Sequence, residues 1–599
     1  MQTIQQQLAR QTAEVLSTLY HINIDPTKVA VQDTPPHFSG DFTIVLFPFL
    51  KATGKSPDIL GKEIGEKLLE SAGYVRSYSI VKGFLNLTLS NAFWVGFLKE
   101  GVVNTRFGFG QVSGDRQPML VEYSSPNTNK PLHLGHIRNN LLGHAVAAIL
   151  EANGNKVIRV NLVNDRGIHI CKSMLAWMKY GKGETPEVTG MKGDQLVGSY
   201  YVRFDQELKK EIAQLTAKGL TPKEAEQQSV LISEAREMLR LWEEGDEEIR
   251  KLWSEMNQWV YVGFDATYER LGIHFDKTYY ESDTYLEGKS IVNEGVSRGV
   301  LDKREDGSVW IDLSEQGMDE KLLLRSDGTS VYITQDIGTA ILRAREYKPE
   351  QMIYVVGNEQ NYHFEVLVKV LASLGYDVSE KIRHLSYGMV ELPSGKMKSR
   401  EGTVVDADDL MDEMFKTARK VTSALGKWSD EELAEQDALF ETLGMGALKY
   451  YMLKVDPKKQ MLFNPEESID FNGNTGPFIQ YTHARIASLM RKAATMQISN
   501  DPDTIDAHYE PDQAEIVLLR HLYRFPSVLK ESAESLNPAL VANFSYELAK
   551  LFNQFYQHLS VLNDPDPGKV AFRVSLSSFT GAVLRNSMGL LGVTLPEQM

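Results

Sequence analysis

The chain has 599 residues, of which 42% are hydrophobic and 24% charged, and a formal net charge of −16. That length exceeds what one hydrophobic core organises, and with no apolar run of about 18 residues the composition excludes a disordered, collagenous or helically membrane-spanning chain. The acidity argues against a protein that coats polyanions without selectivity, since such surfaces are basic, but a large acidic enzyme can still present one positive face.

The first stretch, "MQTIQQQLARQTAEVLSTLY", lacks the basic start and apolar core of a secretory signal, so a cytoplasmic location is expected, and its Leu and Val spacing predicts an amphipathic helix over 2–19. The apolar run "DFTIVLFPFLKATG" follows, then "SPDILGKEIGEKLLESAG", a helix with Ser56 as N-cap and Pro57 at its first position. "SYSIVKGFLNLTLS" alternates as strands do, and the Gly-rich "GFGQVSGDRQP" then separates this unit from the rest. Residues 1–115 are expected to form a small α+β domain.

From residue 119 the pattern becomes strand, turn, helix, strand: "MLVEYSS", "GHIRNNLLGHAVAAILEANG", "KVIRVNLVND". This is a βαβ unit. The single cysteine, Cys171 in "RGIHICKSMLAWM", excludes a disulfide framework and a multi-thiolate zinc site, and it reads as a small buried hydrophobe on a helix rather than a catalytic thiol. Roughly 183–320, exemplified by "LISEAREMLRLWEEGDEEIRKLW", reads as an insertion of solvated helices with no chemistry of its own. The α/β style returns in "VYITQDIGTAILRAREY" and "QMIYVVGNEQNYHFEVLVKVLASLG", so residues 116–476 are expected to hold a doubly wound, Rossmann-type parallel sheet. After about 440 the periodicity is helical, and 477–599 should close the chain as an all-α bundle. Within it "YTHARIASLMRKAA" places His483, Arg485, Arg491 and Lys492 at helical spacing, with Tyr481 able to stack on an unpaired base; a basic face that is merely wet is the competing reading.

Two segments carry nucleotide chemistry. "NTNKPLHLGH" holds His133 and His136 around Leu134 and Gly135, a His-x-Gly-His pattern that chance would produce roughly 0.02 times in a chain of this composition. The first βα turn of such a sheet lies where ligands collect, and a helix starting near Gly135 points free N–H groups and a positive dipole end there. Gly135 would let a nucleoside approach the backbone while the imidazoles donate to phosphate oxygens. A solvated or metal-binding His pair is the alternative. The second segment, "SGKMKSREGT" at 394–403, is a lysine-rich loop of mobile cations beside Gly and Ser.

"VEYSSPNTNKPLHLGHIRNNLLG" resembles the ATP-binding signature of class I aminoacyl-tRNA synthetases, and the flanking Ser125-Pro126-Asn127 and Lys130-Pro131 are similar to the arginyl-tRNA synthetases in particular. "FPFLK", "GFLNLTLS", "VYITQD", "YVVGNEQNYH" and "GNTGPFIQYTHARI" resemble that family in order along essentially the whole chain. The resemblance implies an arginine–tRNA ligase that forms arginyl-adenylate from L-arginine and ATP with Mg²⁺, then charges tRNA(Arg), commonly needing tRNA for the first step. It implies no bound zinc, no resident metal, no membrane or DNA partner, and a monomer. The N-terminal unit would touch the outer corner of the tRNA and the C-terminal bundle its anticodon stem and loop.

Arginine recognition needs acidic groups for a permanently charged guanidinium. Glu122, Tyr332, Asp336 and Gln360 are candidates, because Glu122 ends the first strand and Asp336 lies one helical turn after Tyr332. By resemblance Asp336 and Tyr332 take the guanidinium, and Glu122, Ser124, Asn127 and Gln360 the rest of the amino acid. Leu134, Gly135, Met397 and Ser399 fall to ATP, with His133, His136, Lys130, Lys396, Lys398 and Arg400 stabilising charge on the phosphates. The loop departs from the family pattern in having Ser399 where a second lysine is usual, so Lys398 or Arg400 substitutes or Lys130 helps. His363 falls near the nucleotide by resemblance, and a structural role for it is an equal reading. Competing expectations are a related nucleotidyl-transferring enzyme and an inactive tRNA-tethering protein.

Overall fold

The computed structural model describes residues 3–35, 37–111, 114, 116–393, 405–424 and 436–599. The N-terminal unit contains α1 (Ile4–Tyr20), β1 (Val31–Asp33), β2 (Phe42–Val45), α2 (Phe47–Thr53), α3 (Pro57–Ser71), β3 (Val75–Val81), β4 (Phe84–Leu89) and α4 (Asn91–Val103). Its strands form an antiparallel sheet in the order β1-β2-β4-β3. Ser56 caps α3 as expected, its hydroxyl accepting from the Ile59 N–H at 3.4 Å, and Pro57 fills the first helical position.

The central unit begins with β5 (Met119–Glu122), α5 (Leu134–Ala152), β6 (Val157–Val163) and α6 (Ile168–Tyr180). Next come α7 (Gly193–Ala217), α8 (Val230–Glu244), α9 (Glu247–Leu271), β7 (Lys277–Tyr280) and α10 (Glu281–Ser297). A small antiparallel sheet of β8 (Asp302–Lys303), β9 (Val309–Ile311) and β10 (Lys321–Leu324) follows, then α11 (Tyr332–Tyr347), β11 (Gln351–Gly357), α12 (Asn361–Ser373) and β12 (Ile382–Tyr387). Five parallel strands stand in the order β12-β11-β5-β6-β7. Side chains alternate across the sheet, as the period of two requires: Val121, Tyr123, Ile353 and Val355 enter the core under α5, whereas Leu120, Val160, Met352 and Tyr354 enter a second core with Ile291, Ile337 and Ile341 from α10 and α11. The chain runs from β5 to β6 on one side and returns to β11 on the other, so a switch point opens between the carboxyl ends of β5 and β11.

The stretch 183–320 differs from the expectation of solvated helices. It supplies β7, the edge strand of the parallel sheet, and α7 and α9 pack on each other and on α6, burying Leu196, Val197, Phe204, Val260 and Phe264. Cys171 is buried in α6, where burial pushes its thiol up to about 12, leaving it an inert hydrophobe.

Beyond the sheet lie β13 (Val390–Glu391), α13 (Ala407–Ser423), α14 (Asp437–Leu453) and β14 (Met461–Leu462). The closing bundle is α15 (Gly476–Thr495), α16 (Gln513–Tyr523), α17 (Phe525–Ser535), α18 (Ala539–His558) and α19 (Pro567–Leu590). The N-terminal unit docks on it: the Phe97 and Phe107 rings lie 5.6 and 5.1 Å from Phe579, and the Ile4 N–H donates to the Tyr523 hydroxyl at 2.9 Å. Among the described residues no helix is long and apolar enough to cross a membrane.

Candidate active site

At the switch point β5 runs into two left-handed residues, Ser124 with φ 76° and Ser125 with φ 46°. Such conformations cost on the order of 1–3 kcal/mol each for non-glycine residues and persist only where the surroundings impose them. Here the Ser124 N–H donates to Asn139 Oδ1 at 2.6 Å, the Ser125 N–H donates to Asn161 Oδ1 at 3.0 Å, and the Ser124 hydroxyl lies 2.6 Å from that of Tyr268. Asn139 also donates to the Val355 carbonyl at 2.7 Å, spanning the crevice from β5 to β11. Asn127 pairs with Asn164 at the end of β6, which aligns the chain for its turn into α5.

His133 is the N-cap of α5. Its Nδ1 accepts the Gly135 N–H at 3.1 Å, and its own N–H donates to His136 Nδ1 at 3.1 Å, a capping box built from two imidazoles whose rings lie 4.0 Å apart. Because both Nδ1 atoms accept, both rings carry their proton on Nε2. Burial and the nearby Lys130 charge push His133 down to about 3; burial, His133 and Lys130 hold His136 well below the usual range. The pair is therefore neutral and offers two Nε2–H donors. A Cβ on Gly135 would stand 3.0 Å from the His133 ring, so any larger residue there would press on the capping imidazole. Leu134 is fully buried and its N–H donates to the Val405 carbonyl at 3.2 Å. Burial also lowers the pKa of Lys130, in the preceding turn.

On the β11 side, Tyr332 opens α11 with 67% of its surface exposed, and Asp336 stands one turn further on. His363 Nε2 lies 2.5 Å from Asp336 Oδ2, which places this histidine against the acidic residue and not simply in the core. Gln360 is exposed at the turn that follows β11. Glu281, absent from the sequence expectations, heads α10, and burial followed by the charges of Asp336 and Asp165 pushes its carboxyl up to about 8. Asp165, at the end of β6, fixes that helix start by accepting from the Ser282 N–H at 2.9 Å and its hydroxyl at 2.6 Å. Glu281 and Asp336 thus sit on two packed helices, α10 and α11, with the charge of Asp336 felt at Glu281. Glu122 is turned elsewhere: it forms a buried ion pair with Arg343 and accepts from the Ser125 hydroxyl at 3.1 Å. Ser124, bonded to Tyr268, and Glu122 thus frame the turn. Lys396, Met397, Lys398, Ser399 and Arg400 lie outside the described residues.

Three family models cover the chain: the N-terminal domain of arginyl-tRNA synthetase over residues 2–89, the catalytic domain of class I tRNA synthetases of the arginine type over 100–464, and the DALR anticodon-binding domain over 479–599. The chain belongs to the class I arginyl-tRNA synthetase family. It is 53% identical to the arginine–tRNA ligase of Bacteroides thetaiotaomicron and 54% identical to that of Bacteroides fragilis, in each case over the whole of both chains. Its fold is similar to the arginyl-tRNA synthetase of Thermus thermophilus, with a TM-score of 0.78 at 25% identity and full coverage of both.

In this synthetase a second concave surface lies in the DALR domain. A cleft of about 860 Å³ between α15, α18 and the C-terminus is lined by Tyr481, Arg485, Arg491, Lys492, Tyr556 and Met599. The Arg485 guanidinium lies 5.0 Å from the Tyr481 ring and 5.5 Å from that of Tyr556, so cationic and aromatic groups alternate as a splayed single strand requires. His483 does not join them. It is buried, Nδ1 bonds the Pro596 carbonyl at 3.0 Å, and the helical phase that exposes Arg485 turns it inward.

Proposed function

We propose that the chain joins L-arginine to the 3′-terminal ribose of tRNA(Arg) in two steps through arginyl-adenylate, releasing pyrophosphate and then AMP. The observation that carries this reading is the acidic pair Asp336 and Glu281 beside a helix start capped by two neutral imidazoles. The guanidinium lies between the two carboxylates against Tyr332, and Asn127, Gln360 and Ser124 receive the α-ammonium end, with Glu122, paired to Arg343, framing the turn. The adenosine moiety lies along the backbone at 134–135, beside Met397 and Ser399. The arginine carboxylate attacks the α-phosphate in line. Its charge and that of the departing pyrophosphate are met by the Nε2–H groups of His133 and His136 and by Lys130, Lys396, Lys398 and Arg400. Mg²⁺ arrives on the triphosphate.

The N-terminal domain to about residue 115 and the bundle from about 477 hold the tRNA at its outer corner and its anticodon, around a catalytic domain over 116–476. The chain acts as a cytoplasmic monomer. The test is attachment of each of the twenty amino acids to total tRNA, with Asp336→Ala as control. Arginine alone being attached, and being lost in the control, supports the reading; another amino acid would show that the acidic pocket is misread.

A further inference from the structure

The helical insertion does more than cover the sheet. Lys192, at the start of α7, places its Nζ 2.5 Å from Asp408 Oδ2, 2.5 Å from Thr267 Oγ1 and 3.2 Å from Asp194 Oδ2. Asp194 is fully buried and Thr267 also donates to Asp408 Oδ1 at 3.1 Å, so the ammonium, itself about one-fifth exposed, stands in a polar knot. The knot has no slack: a Cβ on Gly263 would come within 2.4 Å of Asp194 Oδ1, and one on Gly193 within 2.1 Å of the Trp259 carbonyl. Asp408 belongs to the first turn of α13. That turn is paired with the His-x-Gly-His segment, His133 bridging Asp406, the Ala407 N–H donating to the Leu132 carbonyl at 2.9 Å and the Leu134 N–H to that of Val405. The same α7 reaches the other side of the segment through Gly198, where a Cβ would stand 2.7 Å from Pro131 Cδ.

We propose that Lys192 is a positioning residue for ATP: through Asp408 it holds the first turn of α13, and with it the backbone that aims His133 and the start of α5. The inference rests on the functional reading above and adds that the insertion sets the geometry of the phosphate donors. An isolated surface lysine would contribute little. Here one charge joins α7, α9 and α13 behind the site, and a misplacement of about 1 Å in such a support costs on the order of 100-fold in rate.

The test measures arginine attachment to tRNA by the full chain in the wild type and in Lys192→Met, Lys192→Arg, Asp408→Asn and the double variant Lys192→Met/Asp408→Asn, each with its thermal unfolding. The expected result is a fall in kcat on the order of 10- to 100-fold for Lys192→Met, a raised KM for ATP, and a KM for arginine unchanged within about twofold. Lys192→Arg should recover most of the rate, and the double variant should be no worse than the poorer single, since both cut one connection. If Lys192→Met fails to fold, the near-isosteric Asp408→Asn carries the same readout. Full rate in the single variants, losses that multiply in the double, or an effect confined to the KM for arginine would overturn the proposal. A wild type that transfers no arginine would remove the functional reading, and this proposal with it.

Discussion

Glu281 differs from an ordinary surface carboxylate in how it meets a cation. Its carboxyl is pushed up to about 8 by burial and by the charges of Asp336 and Asp165, so at pH 7 the free protein holds it largely protonated. A guanidinium favours the charged form, and arginine must therefore expel a proton. The KM for arginine should fall as pH rises from 6 to 8, by up to about tenfold per unit, and level off above. Glu281→Gln should remove that slope and raise the KM by roughly 10- to 100-fold, which initial rates between pH 6 and 9 would read. A flat profile in the wild type would place Glu281 outside the pocket. His144 makes the opposite kind of prediction, about stability. Burial and the charges of Arg159, Lys449 and His274 hold it down to about 3, against about 6.5 in the unfolded chain. Between those values the unfolded chain takes up a proton that the folded one refuses. Stability is thus full above about 6.5 and drains as pH falls, at up to about 1.4 kcal/mol per unit for this one group. His144→Leu should shallow the acid limb of urea-midpoint measurements between pH 8 and 4 by up to one proton.

At the scale of elements, α5 and β5 form the frame that carries the His133 and His136 donors and the Glu122–Ser125 turn, and their spacing depends on Gly143. A Cβ there would stand 2.2 Å from Tyr123 Cγ, and that ring is fixed by its hydroxyl donating to the His274 carbonyl at 2.8 Å. Gly143→Ala gains up to about 1 kcal/mol of helix propensity but forces helix and strand apart, so a net loss of about 1–3 kcal/mol is expected in denaturant unfolding, together with a raised KM for ATP. A stabilised variant with normal kinetics would show that the strand gives way instead. This frame was legible in the sequence: the apolar runs of β5, β6 and β11 and the histidines that cap α5 are local patterns. β7 was not, because "KTYY" is four residues at a sheet edge amid charged helices, and Glu281, which follows it, was lost with it. Arg343 was equally hidden. In "AILRAREY" it reads as one more cation on an amphipathic helix, and partners remote in sequence, Glu122 221 residues away and the Tyr279 ring 4.8 Å from its guanidinium, explain its complete burial. The lysine-rich loop shows the converse, being conspicuous in the sequence and outside the described residues.

For the whole molecule, the decisive joint is the one between the two end domains, because on the proposed reading a tRNA gripped at its corner and its anticodon needs them at a fixed separation. That joint is built on α16. Arg520 pairs with the buried Asp41, Arg524 with Asp33 at 2.9 Å, and Tyr523 receives the Ile4 N–H amid the rings of Phe93, Trp94 and Phe97. Asp41 is the vulnerable member. Burial already raises its pKa, and without Arg520 its principal remaining stabilisation would be the Leu89 N–H at 2.6 Å. Arg520→Met should therefore cost about 3 kcal/mol, the low end for breaking a buried pair because the arginine itself is about one-third exposed. Protonation of Asp41 relieves that strain, so the variant should regain stability relative to the wild type as pH falls toward 5. The kinetic consequence separates this joint from the catalytic sheet: the KM for tRNA should rise about tenfold, equivalent to about 1.4 kcal/mol, while those for arginine and ATP stay put. Limited proteolysis should at the same time cut the variant within 104–111, where Phe107 and Phe109 pack on Phe579 and Phe525. A variant that loosens by proteolysis yet keeps its KM for tRNA would mean that the two end domains bind the tRNA independently, each by its own contacts.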